Sequence, residues 1–380
     1  MLIYKLLVKL WIYRTKNILK KITTPTNLVF FITNKCNFRC PHCFYTSEMD
    51  KNDKKLTLEE IKKFVPSLES LNTIAITGGE PLLHKDVLEI CKIFLEKVPN
   101  LFLLSNGSMP KKLYSVIKEL APKYKNKSLF IQLSLDGLEK THNELRRVDS
   151  FRKVIESIEL ISELKKKNKN IQIFVCASIS KKNVHELTKF HKFISNYNID
   201  GIRYNFVRGT ENIFNLDKNN MANHNPSHKD IVIRGVKKWE KIYDMLVKAD
   251  EKIGLWKSDN RLIMKSIIRV MKAKKKIFKC YSGITNLVLY PDGDCTICEY
   301  FKPFGNIRNF DYDFRKMYKS DKYKRELAVA KKCECVHNCH IDVSINLSEE
   351  LLYEVVKNRT FKENVKIAKG IILDKIHSFI

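Results

Sequence analysis

The amino-acid sequence predicts an α/β fold in which about six strands alternate with helices, followed by a small domain of a β-hairpin and helices. Six short apolar runs alternate with helical segments between residues 26 and 212, which predicts a parallel sheet. Polar and glycine-rich residues directly follow several of these runs, where the carboxyl ends of parallel strands line a ligand site. The cysteines cluster after the first run and again near the C-terminus.

The elements follow in order along the chain. The predicted strands are NLVFFITN, TIAIT, LFLLSNG, LFIQLSLDG, IQIFVCASIS and GIRYNFVRG. Thr57 and Glu60 form a capping-box pattern that predicts the start of the helix after the first strand. Residues 213–278 are interpreted as a helical connection and residues 346–380 as C-terminal helices. Within residues 279–345, the turn sequence PDGD predicts a hairpin.

Composition narrows the classes of partner. The chain has 380 residues and a formal net charge of +28, which favours anionic partners such as nucleic acid, an acidic peptide or an anionic membrane. Lysine far outnumbers arginine, and this bias favours lysines spread over solvated faces. No apolar run approaches the roughly 20 residues that span a bilayer, and no secretory signal is recognised. We therefore expect a cytoplasmic protein, in which clustered cysteines bind metal rather than form disulfides.

The N-terminal segment, residues 1–25, is predicted to be a basic amphipathic helix. Four lysines share one stripe of this helix, namely Lys5, Lys9, Lys16 and Lys20. Apolar side chains occupy much of the remaining helix surface. Residues 1–22 could lie in a membrane interface at the inner face of the membrane, with the lysines on anionic headgroups. The alternative is a helix packed on the protein's own surface with its lysines outward. The sequence leaves both interpretations open.

The first cysteine group is Cys36, Cys40 and Cys43, on a loop that leaves the first strand. Three thiolates from one loop can bind three irons of a four-iron cube and leave the fourth iron open. A structural zinc site is the alternative, although zinc usually takes four ligands in paired spacings. Spacing alone does not exclude zinc.

The stretch TNKCNFRCPHCF resembles the signature of the radical SAM superfamily, although His42 stands where that family often has an aromatic residue. The resemblance implies that the βα repeat is a partial (β/α)6 TIM-type barrel. It also implies a [4Fe–4S] cluster, S-adenosyl-L-methionine as cofactor, and production of a 5′-deoxyadenosyl radical. It also implies the cofactor-binding residues. Those matching the GGEP motif, expected at the methionine amino group, are Gly78, Gly79, Glu80 and Pro81. Those at later strand ends are Ser105, Asn106, Ser134, Asp136 and, less clearly matched, Ser178.

The second cysteine group resembles the SPASM/twitch extension, which carries auxiliary iron–sulfur clusters. Its members are Cys280, Cys298, Cys333, Cys335 and Cys339, enough for one auxiliary [4Fe–4S] cluster and one spare thiol. Zinc bound by four of them is the alternative. Cys295 lies inside the hairpin, where this extension does not usually need a ligand. Cys91 and Cys176 lie in helix and strand patterns and are predicted to be buried apolar residues.

The resemblance implies an enzyme that abstracts hydrogen, most often from a peptide or protein, and that needs a reductant such as flavodoxin or ferredoxin. The basic surface would suit an acidic peptide. A lipid or small-molecule substrate is an alternative, which the N-terminal helix would suit. A non-catalytic iron–sulfur or zinc protein binding nucleic acid is the alternative of another class, but no nucleic-acid motif is found. No catalytic acid or base is identified, and His84, His142 and His185 are expected to be solvated or capping residues.

Overall fold

The computed structural model describes residues 2–49, 51, 55–207, 222, 230–336, 338–345, 347–349, 351–352 and 354. Most of the predicted C-terminal helices at 346–380 therefore lie outside the described residues, as does the first part of the predicted connection. Cys339 lies in a described helix, but its side chain is outside the description.

Within the described part of the chain, nine strands form one sheet in the order β6-β5-β4-β3-β2-β1-β7-β8-β9. Strands β1 to β6 are parallel to their neighbours, which confirms the predicted partial barrel. The predicted strand TIAIT matches β2 residue for residue. The bounds are β1 Asn27–Phe31, β2 Thr73–Thr77, β3 Asn100–Ser105, β4 Ser128–Ser134, β5 Ile171–Ile179, β6 Gly201–Phe206, β7 Asn286–Leu289, β8 Asp294–Thr296 and β9 Gly305–Asn306.

Helices follow most of the strands, as a parallel sheet requires. The predicted capping box is present, because Thr57 Oγ1 accepts from Glu60 N and Thr57 N donates to the Glu60 carboxylate. The bounds are α1 Leu2–Lys21, α2 Leu58–Phe64, α3 Val87–Lys97, α4 Pro110–Lys123, α5 Glu139–Arg146, α6 Phe151–Lys167, α7 Leu187–Ile194, α8 Val236–Asp250, α9 Ser258–Ala273, α10 Phe314–Lys319, α11 Asp321–Lys332 and α12 Asn338–Ile345.

The two faces of the sheet differ in burial. Outward-facing side chains such as Phe30 are fully buried under the helices, where Phe30 contacts Phe64 of α2 and Phe94 of α3. Side chains of strands β3 to β6 on the opposite side of the sheet, which we call the inner face, are mostly half-buried. They include Phe102, Phe130, Gln132, Ser134, Phe174, Cys176, Ser178, Arg203 and Asn205. The inner face is thus the accessible concave side of the partial barrel.

The predicted hairpin continues the barrel sheet. β7 pairs in parallel with β1, and β8 then pairs with β7 in the antiparallel sense. Gly293 adopts a φ of +92° in the turn, a conformation that favours glycine. Arg308 after β9 forms an ion pair with Glu60 of α2, with Nε 2.6 Å from Oε1. The C-terminal segment therefore packs directly against the first βα unit.

The N-terminal helix α1 packs on the protein. Trp11 is 6% exposed and belongs to the main hydrophobic core, whereas Lys9, Lys16 and Lys20 are exposed. This arrangement matches the packed alternative for α1. Among the described helices, none is long and apolar enough to cross a membrane.

Candidate active site

The loop after β1 carries the first cysteine group, and the turn after β2 holds that loop in place. Gly79 N donates to the carbonyl oxygen of Thr33 at 2.8 Å. A Cβ atom on Gly78 would overlap Thr33 O, and one on Gly79 would overlap Lys35 O. The glycine pair therefore lets two backbones meet where no side chain would fit. As a result, Cys36 is fixed at the carboxyl edge of the sheet.

Glu80 is fully buried and joins the ends of β2 and β3. Its carboxylate accepts from Leu82 N at 3.1 Å, Ser105 Oγ at 2.9 Å and Asn106 N at 2.7 Å. The Asn106 side chain donates to Asn37 Oδ1 on the cysteine loop at 2.9 Å. Burial raises the pKa of Glu80 to about 7. The carboxylate positions these loops here, and its predicted contact with a methionine amino group stays a prediction.

Asp136 follows β4 and forms a buried charge cluster. Its Oδ2 lies 2.7 Å from Arg146 Nε and 3.4 Å from His42 Nε2. Its Oδ1 accepts from Ser178 N at 2.8 Å, so the ends of β4 and β5 are joined. Burial alone would raise the pKa of Asp136, but the charge of the neighbouring Arg146 guanidinium lowers it. The buried carboxylate is therefore ionised and paired with the guanidinium.

Arg146 also reaches the first cysteine group. Its Nη1 lies 3.9 Å from Cys40 Sγ. Burial raises the pKa of the Cys40 thiol, and Arg146 opposes that rise. Burial is also the main reason that the pKa of Cys36 rises to about 12, with smaller contributions from Glu80, Cys40 and Cys43. The three sulfurs are thus near one another, and a cation stands beside one of them.

The remaining predicted residues of this site lie around the same edge. Pro81 begins a short 3-10 helix directly after the glycine turn. Ser134 ends β4 on the inner face and is half-buried, as is Ser178 on β5. All the predicted cofactor-binding positions are therefore at the carboxyl ends of β2 to β5.

The second cysteine group also converges. The thiols of Cys333 and Cys335 are within hydrogen-bonding contact. Cys298 is buried and interacts with Cys335 and Cys280. Lys276 Nζ donates to Cys333 O at 2.8 Å, and although burial acts to lower its pKa, these four cysteines raise it. Four thiols from three separate loops are therefore close enough to one ammonium group to affect its pKa.

The other cysteines behave as expected from the sequence. None of the ten cysteines with described side chains forms a disulfide bond. Cys91 and Cys295 are completely buried in the hydrophobic core. Cys176 is 8% exposed, and Asn205 Nδ2 lies 2.9 Å from its sulfur. These three are not part of either cysteine group.

Comparison with known proteins gives the family. Residues 30–191 match the Radical SAM superfamily. Residues 30–191 are thus a domain of the radical SAM superfamily. The chain is 28% identical over 187 residues to the Bacillus subtilis antilisterial bacteriocin subtilosin biosynthesis protein AlbA, covering 48% of this chain and 40% of AlbA. It is 32% identical over 168 residues to the GTP 3′,8-cyclase of Aliarcobacter butzleri, covering 42% of this chain and 50% of the cyclase.

The matched part of this chain thus spans half or less of the length of these two curated relatives.

A solved structure is similar to this chain in its fold. Streptococcus suis SuiB bound to its precursor peptide SuiA is 15% identical, with a TM-score of 0.58 over 85% of this chain and 74% of SuiB. At that identity the likeness shows the fold alone. It includes the parallel barrel sheet described above.

The first cysteine group fits the four-iron cluster that radical SAM membership implies. Among the described residues, no three His, Cys, Asp or Glu side chains converge as ligands of a single ion. Ligands of a four-iron cube bind different irons and stand farther apart than the ligands of one ion. A cube bound by thiolates is anionic, and Arg146 beside Cys40 supplies a compensating charge. The glycine turn leaves the loop backbone fixed at the open end of the barrel.

Sequence reasoning missed two side chains of this radical SAM site. Arg146 ends α5, ten residues after Asp136, and Arg147 closes the helix with a φ of +57°. His42 departs from the family pattern in the sequence, and in the structure its side chain is 7% exposed and lies beside Asp136. Burial lowers the pKa of His42 to about 4, so its imidazole is neutral. The signal in the sequence that could have indicated a cation at this site is the adjacent pair Arg146 and Arg147, which follows the SLDG motif.

Proposed function

We propose that this protein is a radical SAM enzyme that modifies a peptide or protein by hydrogen abstraction. The observation that carries the proposal is the loop of Cys36, Cys40 and Cys43, fixed by the Gly78-Gly79 turn at the carboxyl edge of a parallel sheet. Ligands bind at this edge in open α/β sheets. The match of residues 30–191 to the superfamily supports the same chemistry.

The bound groups would supply the bond cleavage, and this chain would supply their placement. A [4Fe–4S] cluster with one open iron, once bound with S-adenosylmethionine and reduced, gives a 5′-deoxyadenosyl radical. The thiolates of Cys36, Cys40 and Cys43 would hold the cluster. Arg146 would offset their charge, since its guanidinium is buried beside Cys40. Backbone groups of the glycine turn and the half-buried Ser134 would face the cofactor.

The second cysteine group would hold an auxiliary [4Fe–4S] cluster through four of its five thiols. The convergence of Cys280, Cys298, Cys333 and Cys335 around Lys276 supports this proposal. Zinc accepts the same thiolates, so metal content distinguishes the two interpretations. An auxiliary cluster would exchange electrons or bind substrate. A low-potential donor such as flavodoxin or ferredoxin would reduce the first cluster.

A peptide substrate is favoured over the alternatives. AlbA is by name a bacteriocin biosynthesis protein, and SuiB has been solved with a precursor peptide. The net charge of +28 would attract an acidic peptide. A lipid substrate was suggested by α1 alone, and Trp11 of α1 is used for packing in the core. The likeness to a GTP 3′,8-cyclase keeps a small-molecule substrate as the second candidate.

The test is anaerobic reconstitution with iron and sulfide, followed by reduction in the presence of S-adenosylmethionine. Formation of 5′-deoxyadenosine, measured by chromatography, is the expected result. A Cys295→Ala variant is the matched control, because Cys295 is a buried cysteine outside both groups. Zinc in place of iron, with no 5′-deoxyadenosine from the wild type, would reject the proposal and favour the metal-binding alternative.

A further inference from the structure

We propose that Arg203 is a carboxylate-binding residue on the inner face of the barrel, which anchors an acidic side chain of the peptide substrate and is occupied by Asp342 when substrate is absent. This inference rests on the proposed function and names a substrate feature for the same site. Arg203 lies on β6, and its neighbour in register on β5 is Cys176. Cys176 in turn is the neighbour of Ser134 on β4. Arg203 is therefore about 10 Å from the predicted cofactor-binding position, two strand spacings away.

The surroundings of Arg203 suit a planar anion above an apolar floor. Its guanidinium carbon lies 5.9 Å from the ring centre of Phe102 and 5.8 Å from that of Phe174. Phe130 stacks on Phe102 with ring centres 4.2 Å apart, so the aromatic floor spans three strands. Such rings stabilise a guanidinium and leave its edge available for a carboxylate.

The present partner of Arg203 is itself a carboxylate. Arg203 Nη1 lies 3.2 Å from Asp342 Oδ2 on α12. The side chains are 29% and 35% exposed, so the ion pair is accessible to solvent and can exchange. Arg203 Nε is buried and has no hydrogen-bond partner among the described residues. The guanidinium thus has donor capacity that Asp342 does not use, which a carboxylate approaching from the inner face could satisfy in a two-point contact.

This geometry makes Asp342 an internal competitor. A ligand that binds only when Arg203 is released binds with an apparent association constant lower than its intrinsic one. The apparent constant is the intrinsic constant multiplied by the fraction of chains in which the ion pair is broken. Because the pair is partly exposed, the competition is modest, about two- to five-fold. An acidic substrate residue would replace the carboxylate of Asp342 by its own. Arg203 would then stay paired, so the exchange would leave no buried charge without a partner.

The experiment uses the full chain and two labelled tetrapeptides that differ only in a central Glu or Gln, with fluorescence anisotropy at physiological salt. We expect Asp342→Asn to raise affinity for the Glu peptide about two- to five-fold and to leave the Gln peptide unchanged. Arg203→Gln, alone or with Asp342→Asn, should remove the preference for Glu, and Arg203→Lys should restore only part of it. Glu349→Gln is the matched control, since Glu349 pairs with Lys16 at an exposed site elsewhere.

Equal binding of the Glu and Gln peptides to Asp342→Asn would overturn the proposal, provided that the variant melts at the wild-type temperature. The assay needs neither turnover nor a reductant, so its outcome is separate from formation of 5′-deoxyadenosine. A Glu preference without 5′-deoxyadenosine would reject the enzymatic function and keep the site. Formation of 5′-deoxyadenosine without any Glu preference would keep the enzymatic function and reject the carboxylate-binding site.

Discussion

The two cysteine groups are built in different ways. The first lies on a single loop, which backbone hydrogen bonds and a glycine turn fix at the end of the barrel. The second is assembled from three loops, where Cys280 precedes β7, Cys298 follows β8, and Cys333 and Cys335 follow α11. The first is therefore fixed by contacts next to it in the sheet, and the second depends on how the C-terminal segment folds back. A buried or partly buried cation lies beside each group, Arg146 near Cys40 Sγ in the first and Lys276 at Cys333 O in the second.

The largest expected effect comes from removing the thiols of one group at a time. Replacing Cys36, Cys40 and Cys43 by Ala should abolish 5′-deoxyadenosine formation and leave about four irons per chain, because thiolates are the iron ligands. Replacing Cys298, Cys333 and Cys335 should instead leave the iron of the first group. Iron and sulfide analysis with 5′-deoxyadenosine assays measures both. No iron in the first variant would mean that the second group is not a separate cluster site.

A glycine substitution tests whether the first group depends on backbone packing. Gly79→Ala places a Cβ against Lys35 O, and relief of that overlap should cost about 2–3 kcal/mol and lower the iron content of the first group. Gly254→Ala is the control, since its Cβ meets open space and only its φ of +72° is strained, at about 1 kcal/mol. Denaturant unfolding and iron analysis measure the effects. Equal loss in both variants would show that the turn tolerates a side chain.

Much of this architecture could be predicted from local pattern. The strand Thr73–Thr77, the capping box at Thr57 and the Gly293 turn are set by residues close in sequence, and all three are present. The parallel pairing of β7 with β1 joins residues about 260 positions apart and left no local signal. The prediction for His142 was wrong, because this side chain is buried, with Nδ1 accepting from Asp136 N.

The charged residues beside the two cysteine groups could not be predicted either, because their contacts join residues that are distant in sequence. Arg146 reaches Asp136 and Cys40 from the end of a helix, and nothing in the spacing indicates which of several nearby cations turns inward. Lys276 is likewise one of several lysines in a basic segment, and only the fold brings it to Cys333. Motifs indicated the ligands, whereas the compensating charges required the structure.

Replacing Lys276 should sharpen the comparison between the two groups. A cation near a cluster favours its more negative, reduced form. If the second group binds the proposed cluster, Lys276→Met should lower the reduction potential of that cluster by roughly 60 mV, a tenfold change for a one-electron couple. The potential of the first cluster should not change. Potentiometric titration followed by electron paramagnetic resonance measures both. Lys272→Met is the control, since Lys272 is exposed on α9 and is not adjacent to any cysteine. Equal shifts in both variants would show a general effect of surface charge.

The smallest effect is expected at the contact that joins the two regions. Arg308 forms an ion pair with Glu60, and Tyr312 Oη donates to the same carboxylate at 2.8 Å. Glu60→Gln should cost about 1–2 kcal/mol of unfolding free energy at neutral pH. Glu69→Gln is the matched control, because Glu69 pairs with Arg315 at an exposed site and should cost less than about 0.5 kcal/mol.

The pH dependence separates the charge of Glu60 from its packing. The hydrogen bond from Arg308 lowers the pKa of Glu60 from 4.5 to about 2. A carboxyl group with a lowered folded-state pKa stabilises the protein above its unfolded value and loses that contribution as pH falls. The difference between wild type and Glu60→Gln should therefore be constant above pH 4.5 and shrink as the pH falls towards 2. A difference that is independent of pH would mean that shape, and not charge, couples the C-terminal segment to the first βα unit.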